Sequence, residues 1–280
     1  MLGFIINAAP SLASEPVRSE RQKLVYEVYA GGIHAVQAIL SIDLNEEKKR
    51  YNIVLDTHTR GFLGSLVPWK GRFESRGWIH ENQSLQTEQH KSTTSWSDEV
   101  DIKDYLYNKD GSFKSLRITD DHSDNELREV EKELTDQTTD ILSATLSVMR
   151  NYSTEQKCEG ASEVFDGKRR YKLEYQHQGA PLLKSSKYNI YGGRSAECVV
   201  EVTPIAGAWH KKPRGWLSIQ EQGRKRGMMP TVWLGKVGDS DVAVPVKIRV
   251  KTAYGTLFMH LAEFSVNDKE ALVAEERHRE

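Results

Sequence analysis

The sequence predicts a mainly β protein: a large curved antiparallel sheet or open barrel, with one amphipathic helix at about residues 138–151 packed on it. Three observations predict it. About a dozen short runs rich in β-branched and aromatic residues are separated by glycine, asparagine and aspartate turn signals. Only one segment carries its apolar residues at helical spacing. At 280 residues, 38% of them apolar, the chain is long enough to bury a sizeable core as a single β domain.

In chain order, residues 24–29 read as a strand, Gly31-Gly32 breaks it, and residues 33–42 return as its hairpin partner. A strand at 51–57 follows the charged turn 45–50 and ends at the apolar, glycine-flanked stretch 61–64. Runs at 69–75 and 78–86 flank Arg76-Gly77, a tight-turn signal, and 91–107 continues the meander. Asn108-Lys109-Asp110-Gly111 then turns the chain into 113–118, with glycine where positive φ is needed. The acidic stretch 120–134 has almost no apolar face and reads as a solvated loop or short surface helix.

The helix comes next. Ile141, Leu142, Thr145, Leu146, Val148 and Met149 share one face; Thr138 or Thr139 can cap it, with Asp140 in the first turn and Arg150 in the last. Strands at 162–165 and 168–175 flank Asp166-Gly167, with the φ preferences of a type I′ turn. Further strands are expected at 188–191, 197–203, 215–219, 229–234, 242–250 and 256–264, with Pro230 and Pro245 at strand starts or edges. The organisation is therefore a signal-like segment at 1–15, one β-rich domain at 22–264 and a charged tail at 265–280. There is no internal repeat.

Two features point to export. Residues 1–15 resemble the back half of a secretory signal, with Ser11 and Ala13 three and one positions before a cleavage point; the missing basic region suggests a start placed too late, the alternative being an N-terminal arm. No segment is long and apolar enough to span a bilayer. The cysteines, Cys158 and Cys198, are forty apart. In an exported protein they pair, and in a cytosolic one they are ordinary buried thiols; neither a metal-ligand pair nor a Cys-x-x-Cys redox motif is present.

The order of motifs resembles a known family. Residues 26–33 (Tyr-Glu-Val-Tyr-Ala-Gly-Gly-Ile) are followed by 56–61 (Asp-Thr-His-Thr-Arg-Gly), 69–73 (Trp-Lys-Gly-Arg-Phe) and 139–143 (Thr-Asp-Ile-Leu-Ser). Then come Cys158-Glu159-Gly160, 164–171 (Val-Phe-Asp-Gly-Lys-Arg-Arg-Tyr), Cys198 with Ile205-Ala206-Gly207, and Pro245-Val246-Lys247-Ile248 before Tyr254-Gly255. This order is similar to that of the bacterial exported family called domain of unknown function 3108, over about residues 22–264. The resemblance implies a periplasmic β-rich protein whose curved sheet is similar to that of the periplasmic lipoprotein carriers. It brings no catalytic residues with it.

The chemistry-bearing residues are dispersed. His34, His58, His80 and His90 lack metal-ligand spacing, so no metal is expected. Gly31-Gly32 and Gly192-Gly193 precede no helix and are not phosphate loops, and there is no Gly-x-Ser-x-Gly elbow. Asp56 and Asp166 are the one carboxylate pair considered for acid/base work, and Asp166 is better explained by its turn. A formal charge of −1 gives no whole-molecule attraction for nucleic acid, which is not expected as a partner.

Two candidate surfaces remain. Phe62, Leu63, Leu66, Val67 and Trp69, with Leu142, Leu146 and Met149 of the helix, form a candidate ligand groove between sheet and helix. Lys211, Lys212, Arg214 and Trp216, with Arg224, Lys225 and Arg226, form candidate contacts to anionic envelope surfaces; solvated hairpin loops are the plainer reading. The expected function is a non-enzymatic periplasmic envelope protein that binds an apolar or amphipathic ligand, or an envelope partner such as a lipid or lipoprotein, without a cofactor. The alternatives are an envelope scaffold without a small ligand and a hydrolase acting on cell-wall or lipid substrates.

Overall fold

The computed structural model describes residues 19–209, 216–238, 240, 242–252, 255–267 and 272–273. The first half is a meander: β1 (Ser19–Ala30), β2 (Ile33–Asn45), β3 (Arg50–Thr59), helix α1 (Gly61–Leu66), β4 (Trp69–Ile79), β5 (Leu85–Trp96), β6 (Glu99–Tyr107), β7 (Phe113–Asp120) and β8 (Ser123–Arg128). After helices α2 (Lys132–Thr135) and α3 (Ile141–Glu155) come β9 (Gly160–Phe165), β10 (Arg169–Gly179), the short pair β11 (Leu182–Leu183) and β12 (Gly193–Arg194), and β13 (Ala196–Gly207). The chain ends with α4 (Trp216–Lys225), β14 (Thr231–Gly235), β15 (Val244–Thr252), β16 (Gly255–Val266) and β17 (Leu272–Val273).

All main strands belong to one 15-stranded sheet, in the order β8-β7-β6-β5-β4-β3-β2-β1-β16-β15-β14-β13-β10-β9 with β17 beside β16. The two halves join where β16 returns to β1, from Gln22↔Val266 to Ala30↔Leu257, antiparallel like every other ladder in the sheet. The sheet curves without closing. Its β9 edge is covered by the segment before α3, where Thr139 N–H donates to Glu163 O (2.9 Å) and Phe165 N–H donates to Thr139 O (3.1 Å). The other edge, β8, is guarded by charged and polar side chains, a sequence that resists pairing with a second chain. The mainly β, curved-sheet class read from the sequence is the one observed.

α3 lies in the concavity. Leu146 and Met149 are fully buried, packed with Leu24, Tyr26 and Ile42 of the sheet in one hydrophobic cluster. Its cap is Asp140, not Thr138 or Thr139: the Asp140 carboxylate accepts Leu142 N–H and Ser143 N–H, both at 2.9 Å. Thr139 is committed to the β9 edge, which removes it as a cap. The helix also runs past 151, ending at Gln156 in the left-handed conformation.

Several local expectations are corrected. Arg76-Gly77 is not a turn but the middle of β4, at a register shift against β5. Glycine is required there because a Cβ would lie 2.0 Å from Gln86 O and 2.7 Å from the Tyr51 ring, so the residue serves a neighbour across the sheet. In the 166–167 hairpin only Gly167 takes positive φ, so the turn is not type I′, which needs two such residues. The acidic stretch 120–134 supplies the end of β7, then β8 and α2. Residues 188–191 form a loop, not a strand; Ile190 N–H donates to Leu261 O (2.9 Å), wedging the loop against β16. Residues 216–225 form a helix where a strand was expected at 215–219, so α3 is not the sole helix.

The reason for α4 is one side chain. β14 is short, and on its side of β13 the strand pairing ends at Val199, with Val200 N–H donating to Pro230 O (2.9 Å) just beyond. Gln220 fills the gap: its Oε1 accepts Val202 N–H (2.8 Å) and its Nε2 donates to Val202 O (3.1 Å), as a neighbouring strand would. Gln220→Ala is expected to cost about 1–3 kcal/mol through these two orphaned backbone groups. Faster hydrogen exchange at the Val202 amide is the readout, and unchanged exchange would refute the assignment.

Candidate functional site

Side chains alternate across a strand, so each main strand presents one row to the concavity. Along six adjacent strands that row is buried under α3 and becomes partly exposed further along, at the register-paired Ile248, Met259, Val28 and Val36 on four strands and earlier, at the paired Leu55 and Phe73, on β3 and β4. On β1, Leu24 and Tyr26 are buried while Val28 is partly exposed; on β2, Ile42 and Leu40 are buried while Val36 is not. β3 passes from Tyr51 and Ile53 to the partly exposed Leu55, and β4 from Ile79 and Ser75 to Phe73 and Trp69. β16 passes from Leu261 to Met259, and β15 from Val246 to Ile248. α3 therefore fills one half of the concavity, and the other is a shallower apolar trough whose Leu55, Phe73, Ile248 and Met259 pack against the edge of the core cluster while staying partly exposed.

The trough has few unmet polar demands. Thr57 donates its hydroxyl to Gly71 O (3.1 Å), and Thr59 donates to Val67 O (2.7 Å) while accepting Trp69 N–H (3.0 Å). The Thr59 pair also clips the base of the α1 excursion. At the trough's far side Trp69 and its cross-strand neighbour Trp96 border a cavity of about 380 Å³, shared with Val100, Asp101, Asp120 and His122.

The structure divides the candidate groove set. Leu142, Leu146 and Met149 are core residues of α3, closed over by the sheet. Phe62, Leu63 and Leu66 sit on α1 and Val67 just after it, beyond the far end of β3, and Trp69 opens β4. None of these five belongs to the cluster around α3. The groove between sheet and helix is thus packed shut, and the open surface lies on the side that α3 does not reach. Sequence reading missed Val28, Val36, Leu55, Phe73, Ile248 and Met259. Their alternation was legible, but nothing local says where the helix stops covering the row.

Cys158 and Cys198 form a disulfide, both fully buried, joining the segment after α3 to β13. Of the basic candidates, Lys211, Lys212 and Arg214 lie outside the described residues. Trp216 packs against the core with its indole N–H buried and unpartnered among the described residues. Arg224 is ion-paired with Glu201, and Lys225 with Glu221 (2.9 Å), so two of the three cations at 224–226 are neutralised in place. Arg226 is exposed. Asp56 and Asp166 are each held by an arginine, Arg72 (2.8 Å) and Arg169 (2.6 Å), on separate parts of the sheet.

One constellation was not anticipated. Ser75, His90 and Asp140 meet at the start of α3: Ser75 Oγ donates to Asp140 Oδ1 (2.6 Å) and lies 2.7 Å from His90 Nδ1. Ser143 and Thr87 add hydroxyl hydrogen bonds to Asp140 Oδ2 at 2.6 and 2.8 Å. Burial opposes ionisation of Asp140, but His90 and the hydrogen bonds from Ser143 and Ser75 outweigh it and hold its carboxyl below the usual range. Burial holds His90 low as well, so the ring is neutral near pH 7. With Ser75 donating to the aspartate, His90 donates to Ser75, opposite to the direction in which a base activates a hydroxyl. Ser75 is also fully buried. The trio caps and anchors a helix. Among the described residues no group of three or more His, Cys, Asp or Glu could hold a metal, and no helix is long and apolar enough to cross a membrane.

Fold and site together define the class: an open antiparallel sheet curled around one capped helix, stapled by a disulfide, with an apolar row that α3 leaves partly exposed among the described residues. Residues 25–262 match the family described as protein of unknown function (DUF3108), and the chain belongs to that family. It is the family that the order of motifs resembles. Among solved structures, the β-barrel-like protein of domain of unknown function DUF1849 from Brucella abortus is similar at a TM-score of 0.48 and 7% identity, over 90% of this chain and 100% of that one. No curated protein matches the sequence.

Proposed function

We propose that this protein is a non-enzymatic binding protein of the bacterial envelope that holds the apolar part of an amphipathic ligand in the open trough. The carrying observation is the partly exposed apolar row that continues the buried one, at the register-paired Ile248, Met259, Val28 and Val36 and at the paired Leu55 and Phe73. A folded protein gains by sealing such a row, and an uncovered one is a binding surface. Burial of roughly ten methylenes supplies about 8 kcal/mol gross, enough to exceed an association cost of about 4 kcal/mol or more. The similarity to lipoprotein carriers drawn from the motifs agrees with this reading. The buried disulfide supports a periplasmic location, since such bonds persist in oxidising compartments.

The test is titration of the delipidated protein with a dansylated fatty acid, followed by displacement with envelope lipids. Saturable binding is expected, weakened about tenfold or more in Ile248→Asp/Met259→Asp, where two carboxylates replace the apolar wall. The melting temperature should fall too, because both side chains pack against the core cluster and face each other across β15 and β16, so binding is compared at a temperature where circular dichroism shows the variant folded. Absence of saturable binding to the wild type, or equal binding by the variant, refutes the reading.

A further inference from the structure

The trough opens at one end of the sheet, and exposed apolar side chains collect there. Ile33 sits at the β1–β2 turn, Phe62 and Leu66 on α1, and Trp96 and Val100 at the β5–β6 turn, with exposures from 42% (Val100) to 71% (Phe62). In an antiparallel meander alternate connections fall at the same end, so these three tips are neighbours. They are tied together: Arg60 N–H donates to Ala35 O (2.9 Å), and Ser97 N–H donates to Pro68 O (3.1 Å). Phe62 and Leu66 lie four residues apart on one face of α1, the face turned to solvent.

The α1 segment itself is cationic, with the nearby carboxylates on the β5–β6 tip and around the Trp69 cavity. Residues 60–70 carry Arg60 and Lys70 and no carboxylate, and both cations are exposed, with no ion pair among the described residues. An exposed apolar edge flanked by free cations is the arrangement of proteins that rest on an anionic lipid surface, with rings and aliphatic chains entering the interface while the cations meet phosphate. The neighbouring tip carries Asp98 and Glu99, so the α1 corner is the one that makes contact.

The geometry points to α1 and its flanking tips as a docking edge for an anionic lipid bilayer, placing the mouth of the trough against the membrane. This rests on the trough reading for its purpose, though the edge itself is defined by the residues at 33, 60–70 and 96. Contact is interfacial: α1 has six residues and enters no deeper than its side chains.

The test is flotation of the full chain with vesicles of phosphatidylethanolamine and phosphatidylglycerol, compared with phosphatidylcholine alone. Wild type is expected to float with the anionic vesicles and much less with the neutral ones. Phe62→Ser/Leu66→Ser should lower the floated fraction about tenfold, and Arg60→Glu/Lys70→Glu should remove the preference for anionic lipid. A wild type that stays at the bottom of the gradient, or a Phe62→Ser/Leu66→Ser variant that floats equally well, overturns the docking edge. So does a wild type whose exposed edge is consumed by self-association, seen as a dimer in sedimentation that Phe62→Ser/Leu66→Ser dissolves. Dansyl fatty acid binding without vesicles separates this from the trough: the docking variant keeps it and Ile248→Asp/Met259→Asp loses it.

Discussion

Asp140→Ala is expected to destabilise the domain by about 3–4 kcal/mol, more than an ordinary surface or cap change. The carboxylate caps α3 through Leu142 and Ser143 N–H and also accepts the hydroxyls of Ser75, Thr87 and Ser143, all inside the protein. Removing it orphans several buried donors at once, whereas an exposed cap loses only its own hydrogen bonds. Equilibrium urea unfolding measures the loss, and a change below about 1 kcal/mol would show that the network contributes no more than a surface cap.

The same network makes stability depend on pH. The depressed Asp140 carboxyl contributes stability that is fully present above its unfolded pKa and lost as pH falls through the folded one. His90 is also depressed, so below about pH 6.5 the unfolded chain takes up a proton that the folded chain refuses. Both effects have one sign, and unfolding free energy should fall as pH drops from 7. In His90→Phe the part of that slope near pH 6 should be smaller, and an unchanged slope would assign it elsewhere.

The second large effect is on the staple. Replacing Cys158 and Cys198 together by alanine should cost about 4 kcal/mol, the entropy of a closed loop of this length in the unfolded chain. Cys158 follows α3 and Cys198 lies on β13, so the bond ties the plug to the half of the sheet built last in the chain. Cys198→Ala alone should lose nearly as much as the double variant. If it is markedly less harmful, the bond's contribution is packing of two buried sulfurs rather than chain constraint.

Gly31-Gly32, Gly111 and Gly167 could be read because each answers a demand inside its own turn, where positive φ suits glycine. The helix expected at 138–151 and found at 141–155 was legible for a related reason: its period matches its own geometry whatever surrounds it. Gly77 reads as a turn, and 215–219 as a strand, because Gly77 and Gln220 each serve a distant partner, the Tyr51 ring in one case and the Val202 backbone in the other. Thr138 and Thr139 both read as possible caps because nothing local shows that β9 needs the Thr139 backbone.

By itself the sequence determined the β class, the family, the cysteine pairing expected of an exported chain, and the residues able to face inward. Only the tertiary structure decided which of those residues are sealed and which are open. That depends on the height at which α3 crosses the sheet, set by Asp140 gripping Ser75 and Thr87 and, through Ser143, Tyr51. These groups lie up to 92 residues apart in the chain, and their hydrogen bonds exist only once β3, β4 and β5 are paired. Alternation along a strand is a local property, whereas the length of strand that a helix covers is not.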